Sequence, residues 1–332
     1  MDILAVAKRA GVSSATVSRV LNYPQKVREE TAQRVRDAIR ELEYIPNNSA
    51  RSLRSGRSNV YGLIVSDIRN PFFPDLIEQF EALATEHGID VTFANSGYSE
   101  DRMLASVRRL LERNVAAVAV LTSEVSEAAI QRIRDARIPA VFLNQPVLLG
   151  DVHNITVDYL NGLKEAVDHL LMLGHKRIGF VAGPPTLSSA ARRRQAFVEA
   201  LRLGGLKANE RFIFEGDHKM TGGQAAAESI FSMKQRPTAV ICSNDMTAVG
   251  LLHATQRLGY SVPKDLSVVG FDDLIFSEIV QPALTTLHLS RLDIATRAFF
   301  ALHHGRDANA SAQTEVILPR LVVRDSTARI TS

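Results

Sequence analysis

The first residues able to do chemistry lie close to the start of the chain. Ser14, Ala15, Thr16, Ser18 and Arg19 fall at or near the beginning of a short helical pattern whose apolar side is Val17, Val20 and Leu21. Short hydroxyl and methyl side chains let a helix approach base edges closely. Ser14 and Thr16 can reach phosphates or base edges, Ala15 can touch a thymine methyl, and Arg19 can pair with a guanine. The same pattern also fits a small helical bundle with no nucleic-acid role. Catalytic signatures are missing: the sequence has no G-x-G-x-x-G, no G-x-x-x-x-G-K-[ST] and no G-x-S-x-G run. The nine histidines are scattered. His303-His304 reads as a solvated helix end, and neither a metal nor a cofactor is expected. Asp272 and Asp273 should point in different directions from a loop, which argues against a general acid–base pair.

The elements that position the first group read as three short helices over residues 1–45. Asp2 caps a helix with the stripe Ile3, Val6, Ala7 and Ala10, and Gly11 ends it. Ser13 caps the second, which Asn22-Tyr23-Pro24 breaks. The third runs over roughly 28–42, with Val35, Ile39 and Leu42 on one face. A break at Pro46-Asn47-Asn48-Ser49 leads into Ala50–Gly56, a helix too short to be stable alone in water.

From residue 60 short β-rich runs (60–66, 91–94, 116–121, 140–143, 177–182, 239–243 and 266–271) alternate with helical patterns such as 74–87, 102–113 and 189–203. This βαβ rhythm predicts an α/β body of parallel sheets covered by helices on both faces, with enough strands for two sheets.

The bulk numbers agree. A chain of 332 residues with 45% apolar and 23% charged residues forms two or three soluble domains without staples. The single cysteine, Cys242, sits in an apolar run and reads as core, which fits a reducing compartment. No secretory leader or membrane-length apolar run is visible, so a cytoplasmic location is expected. The net charge of +3 is uneven: residues 1–58 hold 11 basic and 6 acidic residues, the remainder 28 and 30. A basic head on a slightly acidic body points to a polyanion at the head.

The run Val6-Ala7-Lys8-Arg9-Ala10-Gly11-Val12-Ser13-Ser14-Ala15-Thr16-Val17-Ser18-Arg19-Val20-Leu21-Asn22 closely resembles the head of LacI-family bacterial regulators. Tyr44-Ile45-Pro46-Asn47, then Ala50-Arg51-Ser52-Leu53, then Gly62-Leu63-Ile64 resemble that family's hinge and entry strand. The resemblance implies a homodimer whose heads sit on a pseudo-palindromic operator. It adds Asn22, Asn47, Ala50, Arg51 and Leu53 to the expected DNA contacts, with Leu53 as the wedge entering the minor groove at the operator centre. Leu53 packed on its dimer mate is the plainer reading. Ala5 departs from the acidic residue common there, at a small cost to helix charge complementarity.

The body resembles periplasmic sugar-binding proteins. The implied organisation is a helix-turn-helix domain at 1–45, a hinge at 46–58, and two sensor subdomains, 59–158 plus 289–319 and 159–288 plus 320–332. Ligands in such sheets sit beyond the carboxyl ends of strands. There lie Phe72 and Phe73, Asn144-Gln145, Ser189 and Arg193 within Ser188–Phe197, Asn244-Asp245 and Asp272-Asp273. Arg193 matches the family's effector-contacting arginine by its spacing to Phe197, and with Asp272 it could grip vicinal hydroxyls. Asp245 reads equally as a helix cap or a ligand contact, Asp273 as a cap, and Phe73 equally as core or ligand wall. His218, also an expected contact, and Gln145 stand where family members carry aromatics, which argues against a purine. The expected effector is a sugar or sugar derivative, with Arg192 and Arg194 adding a field that admits phosphate or carboxylate. The rival reading, a solute-binding protein of a transport system, requires a leader and no basic head. The absence of a heptad run at the end of the sequence favours a dimer over a coiled-coil tetramer.

Overall fold

The computed structural model describes residues 2–44, 58–145, 152–305 and 313–330. Two compact units divide the chain, residues 1–58 and 59–332. The expected hinge contacts Asn47, Ala50, Arg51 and Leu53 lie outside the described residues.

The head unit consists of α1 (Ile3–Ala10), α2 (Ser14–Asn22) and α3 (Glu29–Glu41), with a 3-10 turn at Pro24–Lys26. Asp2 Oδ1 accepts from Ala5 N at 2.9 Å and caps α1; Gly11, at φ +66, ends it in a backbone region that side chains rarely adopt. Ser13 Oγ accepts from Thr16 N at 3.2 Å and caps α2 two residues after that stop. The junction is therefore tight, and the two helices must cross rather than continue. Val6, Val17, Ala32 and Val35 close a small core between the three helices.

The body unit alternates strand and helix: β1 (Val60–Val65), α4 (Phe72–Glu86), β2 (Asp90–Asn95), α5 (Glu100–Glu112), β3 (Ala117–Leu121), α6 (Glu127–Asp135), β4 (Ala140–Leu143), β5 (His153–Val157), α7 (Tyr159–Met172), β6 (Ile178–Val181), α8 (Ser188–Leu203), β7 (Ile213–Phe214), α9 (Met220–Ser232), β8 (Ala239–Cys242), α10 (Asp245–Arg257), β9 (Ser267–Asp272), α11 (Phe276–Ile279), β10 (Thr285–His288), α12 (Arg291–His304), β11 (Thr314–Ile317) and β12 (Arg320–Val322). Two six-stranded sheets result, ordered β11-β5-β4-β3-β1-β2 and β12-β10-β9-β8-β6-β7. The first is parallel throughout; in the second only β12 runs antiparallel, beside β10. β3, β8 and β9 are buried along their whole length, as strands covered on both faces must be. The chain passes between the sheets between β5 and β6, again between β10 and β11, and again between β11 and β12.

Phe299 of α12 anchors the first sheet's helical layer. It is fully buried, with ring centroids 6.0 Å from both Tyr61 and Phe80. His303-His304 is not simply a solvated helix end: His304 is exposed but stacks on Phe300 at 5.6 Å. His303 stacks on Phe299 at 5.5 Å and meets His87 edge-on at 5.3 Å, because the apolar stripe of α12 continues through its last turn. Replacing Phe299 by Ala should cost about 3–5 kcal/mol through lost transfer energy and a residual cavity. Urea unfolding followed by circular dichroism checks this; a loss below about 1 kcal/mol would mean the layer repacks freely.

Candidate functional site

In the head, α2 buries Val17 and Val20 and turns Ala15 and Arg19 outward, with Ser14, Thr16 and Ser18 half-buried at its flank. Thr16 Oγ1 lies 3.0 Å from Ser13 Oγ, so this hydroxyl is shared with the cap. Three arginines of the head are matched by carboxylates: Arg9 with Glu41 at 2.6 Å, Arg36 with Glu29, Arg40 with Asp37 at 3.6 Å. Among the described residues Arg19 pairs with no carboxylate, leaving an unneutralised guanidinium on the exposed face of α2. Asn22 closes that helix.

In the body a cavity opens where the carboxyl ends of the two sheets face each other. It encloses about 590 Å³ not filled by protein atoms, its mouth included. All eight residues expected there line it: Phe72, Phe73, Asn144, Ser189, Arg193, His218, Asn244 and Asp272. Most of them end or follow a strand or open a helix, and Arg193 lies in the second turn of α8, so topology brings positions 72 and 272 to one chamber. The backbone is unusual at this place. Tyr98, Asn144, His218 and Asp272, all lining residues, adopt φ between +57 and +114, half of the described non-glycine residues with positive φ. Such conformations persist where surrounding structure dictates them, and they gather at sites of function.

The lining side chains divide by what they already hold. Asn144 is spent within the protein: its Nδ2 donates to Ser123 Oγ (3.2 Å) and Tyr159 Oη (3.1 Å), and its Oδ1 accepts from Val157 N (2.7 Å). Asn244 caps α10, accepting from Thr247 N at 2.9 Å while donating to His218 O at 2.9 Å. Ser189 Oγ donates to Glu124 Oε1 at 2.8 Å. Phe72 and Phe73 meet edge to face at 5.4 Å and are buried, so they are core and cavity wall at once.

Arg193, Asp272 and His218 remain, with His218 Nδ1 3.1 Å from Ser243 Oγ. The Arg193 guanidinium lies 4.5 Å from the Phe271 ring centroid and 5.1 Å from that of Tyr159. It donates through Nη1 to the Ser243 carbonyl, and its Nη2 is 3.7 Å from Asp272 Oδ1. Its buried Nε–H has no partner. Burial pushes the Asp272 carboxyl up to about 7 even though Arg193 pulls it down. His218 is held neutral: burial, then the Arg193 charge, push it down to about 3. Its ring fits because residue 183 is glycine; a Cβ there would lie 2.1 Å from His218 Nε2. Burial also raises the Tyr98 phenol to about 12, leaving a neutral donor.

Four expectations are corrected. Asp245 neither caps α10 nor lines the cavity. Its carboxylate lies in the core, where it accepts from Thr286 Oγ1 (2.6 Å), Ser277 Oγ (2.8 Å) and Leu274 N (2.8 Å). Asp273 is no cap but pairs with Arg324 at 2.8 Å and His288 at 2.9 Å. Arg192 donates to the Asn144 carbonyl and Arg194 pairs with Glu210 at 2.6 Å, and neither is among the described lining residues. Tyr98, Tyr159 and Glu124 line the cavity unforeseen. The rule that located the others, polar residues just past a strand, reaches Thr122-Ser123-Glu124 when applied to β3. Among the described residues no cluster could hold a metal ion, and no helix is long and apolar enough to cross a membrane.

A helix-turn-helix head followed by a two-sheet, cleft-bearing body defines a class of ligand-responsive DNA-binding proteins. Residues 2–47 match the profile of the bacterial regulatory proteins of the lacI family, and residues 167–327 that of a periplasmic binding protein-like domain. The HTH-type transcriptional repressor PurR of Mannheimia succiniciproducens is 33% identical over 98% of both chains. The repressor CytR of Escherichia coli K12 is 32% identical over 97% of this chain and 95% of its own. The lac repressor dimer bound to operator and an anti-inducer superposes with a TM-score of 0.88 at 26% identity, covering 99% of each chain. A complex of the transcriptional regulator CelR with cellobiose gives 0.74 at 26% identity, over 98% of this chain and 99% of that one. The chain belongs to the lacI family.

The raised carboxyls give a pH signature. Asp272 near 7 and Asp245 near 6 bind their protons more tightly folded than at the ordinary value of 3.8. Their contribution to stability is therefore full below about pH 4 and is lost as pH rises through about 6 to 7. Asp272→Asn should flatten that part of the stability profile, measured by urea unfolding across this range; a variant profile parallel to the wild type would rule out the Asp272 assignment.

Proposed function

We propose that this protein is a sequence-specific transcriptional repressor that acts as a homodimer in the cytoplasm, binds a pseudo-palindromic operator, and is controlled by a small molecule in the body cavity. The observation that carries this reading is the buried Arg193–Asp272 pair, 3.7 Å apart, on the wall of a cavity at the carboxyl ends of both sheets. A paired guanidinium and carboxylate at a cavity wall offer a donor and an acceptor side by side to a polyhydroxyl ligand. The exposed Arg19 on α2 supports the DNA half, with Ser14, Ala15, Thr16, Ser18 and Asn22 as neighbouring contacts. The relatives' repressor names and the operator-bound dimer support both the partner and the assembly.

The effector is a sugar or sugar derivative: Asp272 and Arg193 suit vicinal hydroxyls, Phe72 and Phe73 offer an apolar wall, and the cellobiose-bound relative lends support. The chain is a binding protein and not an enzyme. Residues 1–45 form the DNA-binding domain and 46–58 the hinge, with Asn47, Ala50 and Arg51 on DNA and Leu53 as wedge. Residues 59–158 with 289–319, and 159–288 with 320–332, form the two sensor subdomains. Effector binding changes their relation, so operator affinity and effector affinity are coupled reciprocally.

A thermal-shift screen of sugars and their derivatives identifies the effector, since a ligand specific to the folded state raises the melting temperature with concentration. Arg193→Ala should weaken that ligand about tenfold to a hundredfold and leave effector-free operator affinity nearly intact. Leu53→Ala should do the reverse. Operator affinity that ignores a proven cavity ligand would refute the coupling.

A further inference from the structure

The start of α8 lacks a cap of its own. Its N-cap position is Leu187, which makes no side-chain bond, and its first turn has no acidic residue. The missing acceptor comes from the other sheet's layer. Glu124, in the loop after β3, takes Ser188 N on Oε2 at 3.0 Å and Ser189 N on Oε1 at 3.0 Å. Ser189 Oγ adds a bond to Oε1 at 2.8 Å; Ser188 Oγ lies 3.2 Å from Oε1 and 3.1 Å from Ser123 O. Both Glu124 and Ser189 line the cavity. One carboxylate therefore takes the first two backbone donors that this helix start offers to an anion and links the two sheet layers at the mouth.

The remaining charge in the cavity has the same consequence. Arg193 is already matched by Asp272 and the Ser243 carbonyl; Arg192 donates to the Asn144 carbonyl, Arg194 pairs with Glu210, and neither is among the described lining residues. Among the described lining residues Glu124 and Asp272 stand against one guanidinium. An anionic ligand would meet the Glu124 carboxylate and a guanidinium already paired with Asp272, a juxtaposition that disfavours it.

We propose that Glu124 is a specificity residue: it occupies the start of α8 with the protein's own carboxylate and so restricts the cavity to uncharged, hydroxyl-bearing effectors, excluding sugar phosphates and sugar acids. This rests on the cavity being the effector site, and it narrows the class expected from the sequence, where Arg192 and Arg194 admitted an anion.

Calorimetric titration of the full chain with D-ribose and D-ribose 5-phosphate, D-glucose, D-glucose 6-phosphate and D-gluconate, and inorganic phosphate tests it. In the wild type every anionic member should bind at least about tenfold more weakly than its neutral counterpart where either binds. Glu124→Ala empties the donors at the start of α8, and its affinity for inorganic phosphate should rise about tenfold or more, with Glu124→Gln between the two. If Glu124→Ala does not fold, the isosteric Glu124→Gln decides by the same sign. The proposal falls if the wild type prefers an anionic member, or if a folded Glu124 variant gains no phosphate affinity. Failure of the effector reading would look different: sugar binding untouched by Arg193→Ala, whatever phosphate does at position 124.

Discussion

A guanidinium removed from water must be compensated where it lies, and the burial of Arg193 shapes much of the carboxyl end of the second sheet. It stands on α8, flanked by the faces of Phe271 and Tyr159, with the Ser243 carbonyl and Asp272 as hydrogen-bonding and charged partners. Reaching it obliges Asp272 to take φ +114 at the end of β9, and Asp273 follows at +57. Asp272 in turn has its main-chain carbonyl held by Arg291 at 2.6 Å, at the start of α12. The charge thus fixes a backbone path in one sheet and enlists a helix that packs on the other.

The bonds across the cavity share one character. Glu124 on the start of α8, Arg192 on the Asn144 carbonyl and Arg291 on the Asp272 carbonyl are all polar and all at the rim or wall. Polar contacts of this kind exchange for water at small net free energy, whereas separating packed apolar surface does not. These bonds can exchange with water at the cavity rim, while one apolar cluster runs through both sheets. That exchange lets a ligand bias an equilibrium by its differential affinity for one form.

Periodicity and strand punctuation made the βαβ rhythm and the tight junction at Gly11-Val12-Ser13 legible, because local backbone preference sets them. The eight cavity residues were legible for a topological reason: in a parallel sheet every strand delivers its carboxyl end to the same edge. What escaped depended on partners remote in sequence. Glu124 meets Ser188 and Ser189 across more than 60 positions, and Asp245 meets Thr286 across 41. The triple arginine shows the limit most directly. Three adjacent charges of one type point three ways along a helix, to Asn144, into the cavity and to Glu210, and nothing local in the run distinguishes them.

The cavity's polarity is thus mostly internal. Asn144, Asn244 and Ser189 read as ligand contacts from their positions, yet each spends its hydrogen bonds on the protein, holding the loops that carry the others. Recognition is left to a short set: the Arg193–Asp272 pair and the neutral His218 ring, whose Nδ1 lies 3.1 Å from Ser243 Oγ, beside two phenylalanines. Fixed loops around a few unspent groups favour discrimination, because a ligand that mismatches one of them leaves a buried polar atom without a partner. Gly183 belongs to the same economy of space. Its missing side chain is what admits His218, so the imidazole can replace an aromatic without a change in the surrounding strands. Effector choice within this body can therefore drift by exchanging single wall residues while the arginine and its compensating partners stay where the fold requires them.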